Sequence, residues 1–420
     1  MQYNKTVYPS LSAFGRQRKN RLSAKWQEEA VRFAEKGKCA FLPDEIYYDN
    51  SATTRTREEA AKRVYEMLTS CYGNPSSLHR KGFEAQQQLE LARGQVAASL
   101  GCQSSEIYFT SGGTEADNIA ILGVARAQKR RGNRIVTTAI EHDAVLNTVR
   151  FLEEEGWEIV RLEPDSNGQI SPEQVLEAVN ERTVLVSMMA VNNEVGSILP
   201  VGSVCRQLHR RWPQVLIHCD AVQAWCKEPL RLGKNPDVDL MSVSGHKIYA
   251  PKGIGALYVK KGSRLRPVSF GGGQEKNIRP GTEGIANACA MGLAAKLLMD
   301  EREENHKRVS EIRQMLLDGL TKLPDICINS PADGTPYILN FSALGVRSEI
   351  MLHFLEEKGI YVSSGSACAK GGASHVLSAM RLSHERADSA IRLSFGRYNT
   401  PEEVPVFLAA LEEGLERFRR

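Results

Sequence analysis

A lysine that directly follows an apolar segment is the first residue in this sequence that could do chemistry. Residues 240–244 read L-M-S-V-S, which is typical of a buried strand, and they run into the turn S-G-H-K (244–247). Because lysine is usually a solvated surface residue, the end of a buried strand is an unusual place for the charge of Lys247. A lysine amine in such a place can form a Schiff base with a carbonyl compound.

Two other predicted strands end in groups that suit the same chemistry. Residues 215–220 (V-L-I-H-C-D) end at Asp220, a carboxylate. Residues 106–117 (E-I-Y-F-T-S-G-G-T-E-A-D) predict a strand, a turn of small residues and a helix, so the backbone N–H groups of Gly113 and Thr114 can bind an anion. A Schiff-base lysine, an acid for a pyridinium nitrogen and an anion site together describe the binding of pyridoxal 5′-phosphate (PLP).

The elements that must position these residues follow from the hydrophobic pattern. Short apolar segments, which we interpret as strands, alternate with longer amphipathic segments, which we interpret as helices. Because the strands are apolar on both faces, the pattern predicts an α/β fold with a mostly parallel sheet covered by helices. In such sheets ligands bind at the carboxyl ends of the strands. The predicted strands are 106–110, 134–139, 183–191, 215–220 and 240–244, and the predicted helices are 83–100, 115–129, 143–156 and 171–180.

The chain divides into three predicted parts. Residues 1–45 are rich in basic residues and contain one short amphipathic stretch, and we interpret them as an accessory N-terminal extension. We expect a large cofactor-binding domain over residues 57–304. Residues 46–56 together with 305–420 form the predicted small domain, which also has an α/β pattern. Its elements are predicted at 300–322, 336–342, 348–358 and 391–397, with a last helix from Pro401.

Composition excludes several classes of protein. Of 420 residues, 54 are Lys or Arg and 50 are Asp or Glu, so the formal charge of +4 is too small to predict a nucleic-acid interface. No apolar run is long enough to predict a membrane-spanning helix. The nine cysteines are scattered, without a C-x-x-C pair or a zinc-type cluster, so we predict neither structural disulfides nor a metal site. A cytoplasmic protein fits this cysteine usage.

Seven motifs together resemble the cysteine desulfurases of the NifS/IscS type, which lie within the class V aminotransferase superfamily. The resemblance extends from about residue 46 to the C-terminus and implies the PLP-dependent transferase fold type I. The motifs are Y-Y-D-N-S-A-T-T (47–54), Y-G-N-P-S-S-L-H (72–79), F-T-S-G-G-T-E-A-D-N (109–118), V-N-N-E-V-G (191–196), S-G-H-K-I-Y-A-P-K-G-I-G (244–255), R-P-G-T-E (279–283) and S-S-G-S-A-C (363–368).

The resemblance implies a role for each matching residue. Lys247 would form the Schiff base, Asp220 would keep the pyridine nitrogen protonated, and His142 would stack on the ring and assist proton transfers. Arg392 would bind the substrate carboxylate, which suits the forked geometry of a guanidinium group. The other cofactor contacts would be Asn193 and Gln223 near the phenolic oxygen, and Gly113, Thr114, Ser244, His246 and the Thr282 of a second subunit at the phosphate.

The catalytic nucleophile implied by the resemblance is Cys368. It follows a run rich in Gly, Ser and Ala, which is typical of a loop rather than of a packed core. Its thiolate would attack the sulfur of the PLP-bound substrate L-cysteine, which yields L-alanine and a persulfide on Cys368. The sulfur would then pass to an acceptor protein, either an iron–sulfur cluster scaffold or a sulfurtransferase that thiolates tRNA.

The sequence leaves two alternatives to this function. A selenocysteine lyase, another class V lyase or an aminotransferase would need Lys247 but not a persulfide at Cys368. A non-catalytic sulfur-transfer scaffold would need neither a reactive lysine nor bound PLP. We expect a homodimer by the same resemblance, and neither a nucleic acid nor a membrane as a direct partner.

Overall fold

A computed structural model describes residues 45–230, 232, 237–364 and 374–419. Residues 1–44 of the predicted extension and Cys368 therefore lie outside the described residues. Residues Ile46–Arg420 form one compact unit, and its division into a large and a small domain stays a prediction.

The described elements alternate between strands and helices. The strands are β1 (Ile46–Tyr47), β2 (Ile107–Thr110), β3 (Arg134–Thr138), β4 (Glu158–Leu162), β5 (Thr183–Met189), β6 (Leu216–Asp220), β7 (Leu240–Ser244), β8 (Gly255–Val259), β9 (Ile326–Ile328), β10 (Ile338–Ala343), β11 (Ile360–Tyr361), β12 (Ser363–Ser364) and β13 (Ala390–Ser394). The helices are α1 (Glu58–Thr69), α2 (Arg80–Leu100), α3 (Gly113–Gln128), α4 (Asp143–Glu154), α5 (Pro172–Ala178), α6 (Val201–Arg211), α7 (Ile285–Asp300), α8 (Arg302–Leu320), α9 (Ser348–Glu357), α10 (His375–Ala379), α11 (His384–Asp388) and α12 (Glu403–Phe418).

Strands between residues 107 and 259 form a seven-stranded sheet. Its strand order is β2-β8-β7-β6-β5-β3-β4, in which β8 runs antiparallel to both neighbours and the other pairs are parallel. All seven residues of β5 (T-V-L-V-S-M-M) are buried, because helices cover both faces of the sheet. The predicted α/β fold with a mostly parallel sheet is confirmed.

A second, antiparallel sheet lies in the C-terminal part of the chain. Its strand order is β12-β13-β10-β9. The start of the chain joins this region, since β1 pairs in parallel with β11 and Asp49 forms a β-bridge with Ser394. Residues just after position 45 thus lie beside strands from positions 360–394.

Several described elements were not among those predicted, including β4, β8, α1, α6 and α7. The helix predicted over 300–322 begins at Arg302, and it is preceded by α7, which the sequence analysis did not predict. The apolar composition of α7 (I-A-N-A-C-A-M-G-L-A-A-K-L-L-M-D) explains this, since a helix that packs against both α1 and α2 has no clear amphipathic period. Among the described residues, none of the helices is both long enough and apolar enough to cross a membrane.

A buried ion pair joins α2 to the segment after β8. The guanidinium of Arg93 donates two hydrogen bonds to the carboxylate of Glu275, at 2.8 and 2.9 Å. The same carboxylate accepts the backbone N–H of Phe109 in β2 at 3.0 Å. Because both charged side chains are almost fully buried, each depends on the other for its compensation.

We therefore predict that Glu275→Ala lowers the free energy of unfolding by about 3–5 kcal/mol, because it leaves the buried guanidinium of Arg93 with the half-exposed carboxylate of Glu90 as its remaining ionic partner. Urea unfolding followed by circular dichroism measures this. The matched control is Glu58→Ala, which removes an exposed carboxylate and should leave the unfolding midpoint unchanged. Equal urea midpoints for Glu275→Ala and Glu58→Ala would show that the Arg93–Glu275 pair does not stabilise the fold.

Candidate active site

The predicted site residues meet in one cavity of about 380 Å³ at the carboxyl ends of the parallel strands. Its volume lies within the range of about 300–1,000 Å³ that is usual for small-ligand sites. Ten of the twelve predicted residues line it; the other two, Thr282 and Cys368, are considered below. The ten are Gly113, Thr114, His142, Asn193, Asp220, Gln223, Ser244, His246, Lys247 and Arg392.

Lys247 lies on a single 3₁₀ turn that follows β7. Its Nζ donates a hydrogen bond to the carbonyl of Ala52 at 2.8 Å and another to the carbonyl of Ser51. Burial, first of all, and then the nearby cations of Lys227 and Arg392 lower the pKa of Lys247 to about 7. About half of the amine is therefore neutral at pH 7, which is the form that reacts with a carbonyl group.

Asp220 is the last residue of β6, next to β7 in the sheet. Residues Asp220 and Ser242 are register partners, so the two strands end at the same edge as the turn that carries Lys247. Burial raises the pKa of Asp220, whereas a hydrogen bond from the N–H of Val222 (2.9 Å) and the charges of His142 and Lys247 oppose that rise. A protonated pyridine nitrogen of a cofactor bound beside Asp220 would favour the anionic form of this carboxylate.

The turn before α3 leaves backbone donors at the cavity wall. The helix has no side-chain cap at Gly112, so the N–H groups of its first turn, beginning at Gly113, have no partner within the helix. A Cβ atom placed on Gly113 would lie 2.8 Å from Cγ2 of Val222, so a larger residue at this position would have to displace the Val222 side chain. Ser244 and His246 line the cavity as well, which gives an anion several donors.

Two histidines that line the cavity, His142 and His246, have defined hydrogen-bond partners. His142 is the N-cap of α4, and its Nδ1 accepts the N–H of Ala144 at 3.1 Å, which places the proton of the neutral ring on Nε2. For His246, burial and then the charge of Lys247 lower the pKa to about 4, so that its ring is neutral at pH 7. Its Nδ1 lies 3.2 Å from Oγ1 of Thr53.

Arg392 reaches the cavity from β13 of the other sheet. Its guanidinium donates to Oδ1 of Asp49 at 2.8 Å and to the carbonyl of Asn193 at 3.1 Å. Its Nε atom is buried and has no hydrogen-bond partner among the residues that the structure describes. Because Arg392 lines the cavity, its guanidinium can pair with a carboxylate that enters, while the hydrogen bond to Asp49 fixes its orientation.

The two remaining predicted residues are not brought into the cavity. Thr282 is exposed and lines a separate groove with Leu68 and Tyr72. Cys368 lies outside the described residues, although the chain on either side of it is next to the cavity: Ser364 lines it, and Oγ of Ser374 donates to Oε2 of the cavity residue Glu194 at 2.5 Å.

Sequence reasoning missed the contributions of Asp49, Ser51 and Ala52 to the site. Asp49 pairs with Arg392, and the carbonyl oxygens of Ser51 and Ala52 bind the amine of Lys247. All three belong to the motif Y-Y-D-N-S-A-T-T. The resemblance of this motif to the family was the available signal, but the sequence alone did not indicate what each of its residues contacts. Asp117 in α3 was also missed; burial and then the charge of Asp220 raise its pKa.

Comparisons with known proteins agree with this geometry. The family description "Aminotransferase class-V" matches residues 46–407. A NifS/IcsS protein homolog of Lactobacillus delbrueckii subsp. bulgaricus is 43% identical over 379 residues, which cover 89% of this chain and 98% of the relative. Cysteine desulfurase IscS of Clostridium botulinum is 39% identical over 384 residues, which cover 89% and 95%.

Solved structures show the same likeness. A NifS-like protein superposes with a TM-score of 0.85 and 38% identity, over 89% of this chain and 100% of that one. SspA in complex with cysteine superposes with a TM-score of 0.74 and 31% identity, over 84% and 100%. The chain belongs to the class V aminotransferase family, and within it to the cysteine desulfurases of the NifS/IscS type. These are PLP-dependent enzymes.

The residues of the cavity fit PLP. Its aldehyde requires an amine that is neutral near pH 7, its ring nitrogen a carboxylate, and its phosphate a set of donors, and the cavity supplies Lys247, Asp220 and the uncapped end of α3 for these three groups. The glycine at position 113 leaves the backbone of that helix end accessible.

We predict that in cofactor-free protein the amine of Lys247 titrates near pH 7, because its charged form is disfavoured by burial and by neighbouring cations. The rate at which trinitrobenzenesulfonate labels Lys247, followed by peptide mass spectrometry across pH, should rise to half its maximum there. The reference is a lysine side chain in a short unstructured peptide, which titrates at about pH 10.4. Similar midpoints for Lys247 and the peptide lysine would show that the cavity does not perturb Lys247.

Proposed function

We propose that the protein removes sulfur from L-cysteine with Lys247 as the PLP-binding and proton-transferring residue and Cys368 as the sulfur acceptor. The products are L-alanine and a persulfide on Cys368, from which sulfur passes to an acceptor protein. The observation that carries this proposal is the cavity in which the partly neutral amine of Lys247, the carboxylate of Asp220 and the guanidinium of Arg392 converge.

Lys247 and Asp220 have the proton-handling roles. When bound, PLP supplies an electron sink for the negative charge that develops at Cα of the substrate. The neutral Nζ of Lys247 takes the proton from Cα, and the Asp220 carboxylate holds a proton on the ring nitrogen. Nε2 of His142, which carries the ring proton, can donate it toward the reacting groups.

Arg392 orients the substrate. Its positive charge lies at the cavity wall, where it can pair with the α-carboxylate, and the hydrogen bonds of the guanidinium to Asp49 and Asn193 restrict its rotation. An anchored carboxylate fixes the position of Cα relative to Lys247, which lowers the entropic cost of proton transfer.

Cys368 completes the sulfur transfer. Its thiolate attacks the substrate sulfur, an S–S bond forms, and the Cβ–S bond breaks with its electron pair remaining on the carbon skeleton that becomes alanine. The described residues on either side support this role: β12 lines the cavity before Cys368, and His375 after it donates from Nε2 to the carbonyl of Glu141 at 2.9 Å. Both ends of the segment that carries Cys368 thus lie at the cavity.

The acceptor protein is the less defined part of the proposal. Either an iron–sulfur cluster scaffold or a tRNA sulfurtransferase with its own cysteine thiol could take the sulfur by attack on the persulfide. We propose a cytoplasmic location, because all seven cysteines that the structure describes are free thiols.

We predict that Cys368→Ser keeps the visible absorption band of bound PLP and its change on addition of L-cysteine, but releases no sulfide under reducing conditions. The reason is that serine cannot form a persulfide, whereas Lys247 still handles the Cα proton. Sulfide assays and stopped-flow absorbance measure the two steps separately.

The matched control for that variant is Cys327→Ser, which alters a half-buried thiol in β9, outside the cavity. It should release sulfide at the parent rate. Sulfide release by Cys368→Ser at the parent rate would show that another group accepts the sulfur, and a keto acid in place of alanine would indicate an aminotransferase.

A homodimer is the second part of the proposal. Large apolar side chains on α1, on α2 and between them are each more than half exposed, which marks an interaction surface; they are Tyr65, Leu68, Tyr72, Leu78, Phe83 and Leu91. We call these six the apolar patch. Thr282 lines the same groove as Leu68 and Tyr72, so a second copy that docks on the patch comes next to Thr282. This supports a role for Thr282 in the site of the partner.

We predict that Leu68→Asp combined with Phe83→Asp converts a dimer into monomers, because charges on the apolar patch would have to be desolvated in the interface. Sedimentation velocity measures the change, and PLP should dissociate faster from the monomer. The control is Phe151→Asp, which changes an exposed phenylalanine of α4 and should leave the dimer intact. A monomeric parent protein would contradict the proposed assembly.

A further inference from the structure

Lys227 is a buried lysine beside the cavity. Only 4% of its surface is exposed, and it lies one turn after Gln223 in the segment that follows β6. Within the described chain its ammonium contacts Oε1 of Gln223 at 3.4 Å and the ring of Tyr337, whose centroid is 5.7 Å away. Neither contact carries a negative charge. A buried ammonium with such weak compensation is costly, which points to a role beyond packing.

The first effect of Lys227 is on the carboxamide of Gln223. An ammonium group can only donate hydrogen bonds, so it selects the oxygen of the amide and leaves the nitrogen on the other side. Nε2 of Gln223 donates to the carbonyl of Ser51 at 3.0 Å, in agreement with that orientation. The carbonyl of Ser51 also binds the amine of Lys247. The two lysines are therefore linked through one glutamine and one backbone carbonyl.

The second effect of Lys227 is electrostatic. After burial, its charge is the largest influence that lowers the pKa of Lys247, ahead of Arg392, while Asp49 and Asp220 act in the opposite direction. Burial lowers the pKa of Lys227 itself to about 8, against the charge of Glu228, so the ammonium form still predominates at pH 7. A cation held in a poorly hydrated place acts strongly on its neighbours because little solvent screens it.

We propose that Lys227 is a positioning residue: its ammonium fixes the carboxamide of Gln223 and holds a positive charge near Lys247, which keeps that amine in its neutral, reactive form. The inference depends on the proposed role of Lys247. It adds a residue that touches neither substrate nor cofactor and acts through Gln223 and through its charge.

Three variants separate the two effects. Lys227→Met removes the charge and the donor, Lys227→Gln removes only the charge, and Lys227→Arg keeps both. Lys261→Met is the control, since it removes an exposed lysine outside the cavity. The first measurement is the pH-dependent labelling of Lys247 by trinitrobenzenesulfonate in cofactor-free protein. The second is the pH midpoint of the visible band in the holoenzyme, and thermal melting checks that each variant folds.

The expected result is that Met and Gln at position 227 raise both midpoints, because loss of a nearby cation favours the protonated form of the nitrogen at Lys247. A rise of about one pH unit lowers the labelling rate at pH 7 about five-fold. Arginine at position 227 should restore the parent midpoints, and the Lys261→Met control should not move them.

Unchanged midpoints in a folded Lys227→Met or Lys227→Gln protein would overturn the inference and leave Lys227 a structural residue. If Lys227→Met fails to fold, Lys227→Gln, whose side chain can still donate to Gln223, decides the outcome. A parent protein that forms no visible band with PLP would instead contradict the proposed function. The two failures are thus distinguishable.

Discussion

The site depends on holding a lysine amine where protonation is unfavourable. Lys247 lies in a cavity between cations and carboxylates, and burial together with Lys227 and Arg392 outweighs Asp49 and Asp220. An ordinary lysine is almost entirely protonated at neutral pH, and could neither attack an aldehyde nor accept a proton from carbon. In the proposed function the cavity thus converts a surface-type side chain into a nucleophile and base, and the other contacts of the site either maintain that balance or use it.

Both sheets contribute residues to the cavity around Lys247. Parallel pairing of β6 with β7 brings Asp220 and the turn with Lys247 to one edge, next to the uncapped start of α3. The antiparallel sheet contributes Arg392 from the middle of β13, and the bridge from Asp49 to Ser394 connects the first residues of the unit to that strand. In the proposed function, substrate orientation and proton transfer therefore depend on different sheets of the fold.

Much of the sheet and ten of the cavity residues could be predicted from the sequence, because buried parallel strands are continuous apolar runs and carry functional groups at their ends. β8 was missed because Gly253 and Gly255 interrupt the apolar pattern at its start, and α7 was missed because a helix buried on several sides has no amphipathic period. Lys227 was missed because most lysines are solvated and only tertiary packing shows that this one is buried. Thr282 and Cys368 remain predictions from the resemblance, since neither is described within the cavity.

The proposed function requires a covalent link between PLP and one particular amine. Purified protein saturated with PLP can be reduced with borohydride, digested, and searched by mass spectrometry for the peptide that carries the reduced cofactor. We expect the adduct on Lys247, with loss of the visible band in proportion to its formation. An adduct on a different lysine, or an unmodified Lys247 in protein that has bound PLP, would show that Lys247 is not the Schiff-base residue.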